Sequence, residues 1–123
     1  MAIKALEDAL TIIELIRQRY EAGISEISKE LNMNKNKVFR LITTLELKGL
    51  VEINEENRKY RLGINFIKLE HSFVKSLNFL ETSKPFLRTL KQDVEENVYV
   101  SIPQKKDVVY IYEETINKQV IVY

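Results

Sequence analysis

Along residues 3–20, apolar side chains fall at Ile3, Leu6, Leu10, Ile13 and Ile16. That three-and-four spacing predicts a helix with one buried stripe. Gly23 reads as its stop. Ser25 then precedes "EISKEL" and reads as the N-cap of a short second helix. Asn32 stands where that helix must turn out, and asparagine tolerates the left-handed conformation such an exit needs. A third helix follows over about residues 35–48, with Gly49 ending it. Val51 and Ile53, then Tyr60 and Leu62, alternate with polar residues, which predicts a hairpin around the loop "EENR". Asn57 is the residue expected at positive φ.

Beyond Gly63 the spacing returns to helical. Ile67, Phe73, Val74, Leu77 and Leu80 form one stripe, and Phe86, Leu87, Leu90 and Val94 another. Pro85 lies between them. It lacks an N–H for the carbonyl of residue 81 and clashes with it, which predicts a break near residues 82–84, capped by Asn78 or Thr82. The remainder is rich in Val, Ile and Tyr and predicts strands at about 97–102, 108–113 and 119–123. The fold class is α+β: a winged helix-turn-helix, a linker helix, then a helix with a small antiparallel sheet. The boundaries fall at 1–63, 64–78 and 79–123.

Composition narrows the chemistry. The 123 residues carry 19 Lys and Arg against 18 Asp and Glu, a net charge of +1. Global charge therefore makes no case for nucleic acid or membrane, and only local clustering can. No cysteine is present, which removes disulfides, thiolate nucleophiles and zinc-finger ligands. The acidic residues Glu7, Asp8 and Glu14 do not suit a signal peptide. No apolar run approaches the roughly 18 residues of a membrane span, so the cytoplasm is the expected location. His71 is the sole histidine and has no second ligand for a metal. The pairs Glu95–Glu96 and Glu113–Glu114 are sequence neighbours whose side chains diverge, so neither forms a catalytic dyad. Tyr99, Tyr110, Tyr112 and Tyr123 read as sheet packing. No phosphate loop or Ser-His-Asp arrangement occurs, so neither an enzyme nor a cofactor is expected.

Local clustering does exist. Asn34 to Arg40 holds three cations and two amides with no acid. On a helix wheel Val38, Leu41, Ile42 and Leu45 share the face that packs inward. The opposite face holds Asn36, Lys37, Arg40, Thr43 and Thr44, with Lys35 and Phe39 at its flank. A DNA major groove admits an α-helix and is read by such side chains. In a helix-turn-helix, the second helix reads mainly from its N-terminal residues. The hairpin, with Arg58, Lys59 and Arg61, makes a wing that reaches flanking phosphates.

These residues resemble the IclR-type (isocitrate lyase regulator) transcription regulators. The resemblance runs through "ALEDALTIIELI", "ISEISKELNMNKNKVFRLITTLELKGLVE" and "RKYRLGINFIKLE". It lies in Ser25, the turn Leu31 to Met33, Lys35 with Val38, Arg40 and Leu41, the exit Leu45 to Val51, and the wing end Lys59 to Gly63. Asn36 and Lys37 stand where small hydroxyl residues are common, and Asn34 where proline is. Together, the pattern and the resemblance imply contacts to double-stranded DNA from Ser25, Asn34, Lys35, Asn36, Lys37, Phe39, Arg40, Thr44, Arg58 and Lys59. They also imply a homodimer through Ile67, Phe73, Val74, Leu77 and Leu80. Residues 79–123 resemble the start of the family's effector-binding domain, through "ENVYVSI" and "DVVYIYEE". That domain is much longer in the family, so no complete small-molecule effector site is expected in 123 residues, and "VIVY" is expected to present an unpaired strand edge. The rival readings are a winged-helix protein-interaction module and a short modulator that pairs with a full-length relative.

Overall fold

The computed structural model describes residues 1–115. The expected strand at 119–123 and its edge lie outside them. The elements are α1 (Lys4–Arg19), α2 (Ile24–Leu31), α3 (Lys35–Leu47), β1 (Val51–Asn54), β2 (Lys59–Leu62), α4 (Asn65–Ser76), α5 (Asn78–Val94), β3 (Val98–Gln104) and β4 (Asp107–Glu114). The chain divides into two compact units, Met1–Glu70 and His71–Tyr123. This is a mixed fold of helices and two small antiparallel sheets.

In the first unit, Ile12, Ile16, Ile27, Val38, Ile42 and Val51 are fully covered, joined by Ala9, Leu15, Ala22, Leu45 and Tyr60. The face of α3 is the expected one: Val38, Ile42 and Leu45 point inward and Leu41 is half-buried. The face of α1 is the expected one only in its second half, where Ile16 is buried and Ile13 packs against the core. Ile3, Leu6 and Leu10 are exposed, and Ala9, Ile12, Leu15 and Ile16 are inside. Apolar residues crowd most of this helix, so two stripes satisfy the same spacing, and the packing of α2 and α3 selects between them.

The hairpin pairs Val51 with Leu62 and Ile53 with Tyr60. Tyr60 also bridges back to Ala22: Ala22 N–H donates to the Tyr60 carbonyl at 3.0 Å, and Tyr60 N–H to the Ala22 carbonyl at 2.9 Å. This extended segment moves the start of α2. Gly23, not Ser25, is the N-cap. Its N–H donates to Glu26 Oε1 at 3.2 Å, the carboxylate half of a capping box. At the wing tip the positive φ belongs to Arg58 (59°), not Asn57. Asn57 instead accepts the Lys59 N–H on its Oδ1 at 3.0 Å and donates from Nδ2 to Glu21 at 3.1 Å. Gly49 closes α3 at φ 72° as expected.

In the second unit, β3 and β4 form a hairpin with a bulge between Val100 and Ser101. The expected break beside Pro85 is absent. α5 runs through Pro85, and the interruption falls at Leu77, between α4 and α5. Pro85 sits past the first two turns of α5, so the helix forgoes one interior hydrogen bond without ending. Ser83 and Thr89 hydroxyls bond to the Leu80 and Pro85 carbonyls on either side, at 2.9 and 3.2 Å. Glu114 gathers Tyr112, Arg88 and Lys91. Burial pushes its carboxyl up, but these hydrogen bonds outweigh that and hold it below the usual range.

Candidate nucleic-acid interface

The turn between α2 and α3 is built from local chemistry. Asn32 adopts the left-handed conformation (φ 52°, ψ 49°), and its N–H bonds back to the Ser28 carbonyl. Ser28 Oγ donates to the Met33 carbonyl. Asn34 then caps α3, its Oδ1 accepting the Asn36 N–H at 2.7 Å. The dipole of α3 therefore presents its positive end beside Lys35 and Asn36.

Lys35, Asn36, Phe39, Arg40, Thr43 and Thr44 are all exposed. Lys35 and Arg40 have no acidic partner among the described residues. Thr44 Oγ1 donates to the Arg40 carbonyl at 3.2 Å, so its hydroxyl proton is used within the helix while the residue stays exposed. Lys37 departs from the expected open face. It is half-buried, and its ammonium pairs with Asp8 of α1. Asp8 is buried (3% exposed) and also takes Lys4 Nζ at 3.0 Å. Hydrogen bonds from Lys37 first, then Lys4, hold its carboxyl below the usual range.

An open groove of about 400 Å³ brings four expected residues together: Ser25 of α2, Phe39 of α3, and Arg58 and Lys59 of the wing. The wing cations are already matched by acids. Arg58 pairs with Glu55 at 2.8 Å, Lys59 with Glu26 at 3.2 Å and Arg61 with Glu52 at 2.8 Å. Glu26 thus joins the N-terminus of α2 to the wing, and the Gly23 N–H, then Lys59, holds its carboxyl low. Glu21 ties the other side of the wing through Asn54 at 2.9 Å and Asn57, which depress it in that order. Asp8, Glu21 and Glu26 were not singled out from sequence. Only Glu26 carried a signal there, the spacing of three residues from Gly23.

Of the stripe expected at a dimer seam, Ile67 and Phe73 are exposed, and Val74 and Leu77 are half-buried. Leu80 is fully buried within the chain and has no surface left for a partner. Among the described residues no helix is long and apolar enough to cross a membrane.

A three-helix core, a left-handed exit into a capped outward-facing helix and a two-stranded wing define a winged helix-turn-helix. Residues 5–55 match the IclR helix-turn-helix domain. The chain is 33% identical over 110 residues to the HTH-type transcriptional regulator XynR of Escherichia coli K12, covering 89% of this chain and 44% of XynR. It is 24% identical over 101 residues to KdgR of the same organism, covering 82% and 38%. The backbone follows an IclR family transcriptional regulator from Brucella abortus with TM-score 0.79 at 20% identity, over 93% of this chain and 44% of that one. The IclR regulator from Alicyclobacillus acidocaldarius gives 0.74 at 21% identity, over 93% and 47%. The N-terminal unit thus matches the winged helix of an IclR-type regulator, and the matched relatives are transcriptional regulators, not enzymes. The chain spans less than half the length of these relatives.

Proposed function

We propose that this chain binds double-stranded DNA sequence-specifically as a transcription regulator, with α3 in the major groove. The observation that carries this is the exposed, acid-free N-terminal face of α3. Lys35, Asn36, Arg40 and Thr44 stand there, at the positive end of the helix dipole. Arg40 is assigned a base edge, because its fork of donors suits guanine. Ser25, Asn34 and the wing residues Arg58 and Lys59 are assigned to the phosphate backbone, and Phe39 to an apolar contact beside them. A regulator of this kind works where the DNA is, in the cytoplasm.

We further propose a homodimer through α4. None of its residues is buried, and Ile67 and Phe73 stay about half exposed. Two copies of α3 about 34 Å apart would read a near-palindromic site. One winged helix covers only about 600–1,000 Å², so pairing supplies much of the affinity. Selection of duplexes from a random pool, followed by titration over a range of salt, tests the reading. A recovered consensus with a steep salt dependence supports it. Binding indifferent to sequence would instead favour a protein-interaction module.

A further inference from the structure

We propose that Asp8 reserves Lys37 for the interior, so that Lys37 positions α3 against α1 and is withheld from nucleic acid. This rests on the DNA-binding reading above. Lys37 is the third residue of α3, within the turn where the outward donors gather. Lys35, Asn36 and Arg40 on either side are exposed, yet the Lys37 side chain keeps 39% of its surface and its ammonium is paired with Asp8 Oδ2. Asp8 is the one buried charged residue among the described residues.

The two cations on Asp8 are not equivalent. Lys4 lies one turn away on the same helix with 78% of its side chain exposed, so water competes for that pair. Lys37 comes from a different element and is the more shielded. A carboxylate removed from water stays charged only beside close cations and donors. If Lys37 swung out to a phosphate, Asp8 would keep one solvated lysine. Attraction also strengthens as the local dielectric falls, which favours the shielded pair over a phosphate in water. The first turns of α1 therefore fix the placement of α3. The cations that α3 offers at its reading end are Lys35 and Arg40, which limits attraction to DNA of any sequence.

The test compares native protein, Asp8→Asn, Lys37→Gln and the double variant on a duplex of arbitrary sequence, over a range of salt. Lys37→Gln is expected to keep the native slope of log K against log salt. Asp8→Asn, which frees Lys37, should steepen it by about 0.9, one phosphate contact. Between 50 and 200 mM salt that is an extra loss of affinity of roughly threefold to fourfold. The double variant should return to the native slope. A slope for Lys37→Gln flatter by about 0.9 overturns the proposal, because Lys37 then leaves Asp8 for a phosphate. Native slopes in all four also overturn it, since Lys37 is then out of reach regardless of Asp8. If Asp8→Asn does not fold, Lys37→Gln against native protein decides. If the native chain binds no duplex, the DNA reading fails. The pair is then judged by thermal unfolding: non-additive shifts in Tm across the cycle support anchoring, and additive shifts overturn it.

Discussion

Replacing Gly63 by alanine should open the joint between the wing and α3. A Cβ on Gly63 would collide with the carbonyl oxygen of Gly49. It would also lie 2.8 Å from that residue's carbonyl carbon and 2.9 Å from that of Leu50. All three obstacles are backbone, so no rotamer change relieves them. The same backbone is held by two hydrogen bonds, Gly63 N–H to the Leu50 carbonyl at 2.8 Å and Asn65 N–H to the Gly49 carbonyl at 3.1 Å. Overpacking costs about 1–3 kcal/mol, and each hydrogen bond contributes about 1 kcal/mol. The sum is about 4 kcal/mol. For a unit of this size that lowers Tm by roughly 15–30 °C. Gly23→Ala is the control, because nothing approaches its Cβ closer than 3.6 Å. It should cost no more than about 1 kcal/mol, the loss expected when alanine replaces a glycine cap. Urea unfolding followed by circular dichroism measures both. Equal midpoints for Gly63→Ala and Gly23→Ala would refute the reasoning.

Four further substitutions have expected outcomes. Arg40→Ala should weaken binding to the selected site by about 1–3 kcal/mol and relax preference at one base pair, read by competition with single-substitution duplexes. Arg58→Gly removes a side chain from a left-handed position, so it should stabilise the fold by about 0.5–1 kcal/mol, seen in urea midpoints. The same change should flatten the salt slope of binding by about one unit. Asn34→Ala removes the cap of α3 and should cost about 0.5–2 kcal/mol of stability, seen in the same midpoints. Glu26 is held below its ordinary value of 4.5, so its contribution is present above that pH and lost as pH falls through the lower folded value. Glu26→Gln should therefore lower stability at neutral pH and reduce the loss seen on acidification, measured by Tm across pH.

What sequence could reveal depended on how local the cause was. The α2–α3 turn and the end of α3 were legible because Asn32 acts through its own conformation and Gly49 through its own φ. The outward face of α3 followed from the spacing of Val38, Ile42 and Leu45. The buried face of α1 did not follow, because Leu6 and Leu10 match the helical period as well as Ala9 and Ile12 do. The cap of α2 was misplaced because the strand-like bridge of Ala22 to Tyr60, far along the chain, sets where the helix begins. Pro85 was read as a break because sequence shows the donor it lacks, whereas α5 continues for 17 residues around that one missing hydrogen bond. The partner of Lys37 was hidden because Asp8 lies on another helix, and on a face that was misassigned. The wing cations looked free because Glu26 and Glu52 reach them only once the hairpin is folded.

The most direct measurement is a map of backbone amide shifts as a selected duplex is titrated into the protein. Changes concentrated at Lys35, Asn36, Phe39, Arg40 and Thr44, with a second group at Arg58 and Lys59, are the predicted result. Changes confined to the outer side of α1 around Leu6 and Leu10, with α3 silent at saturating DNA, would contradict the account.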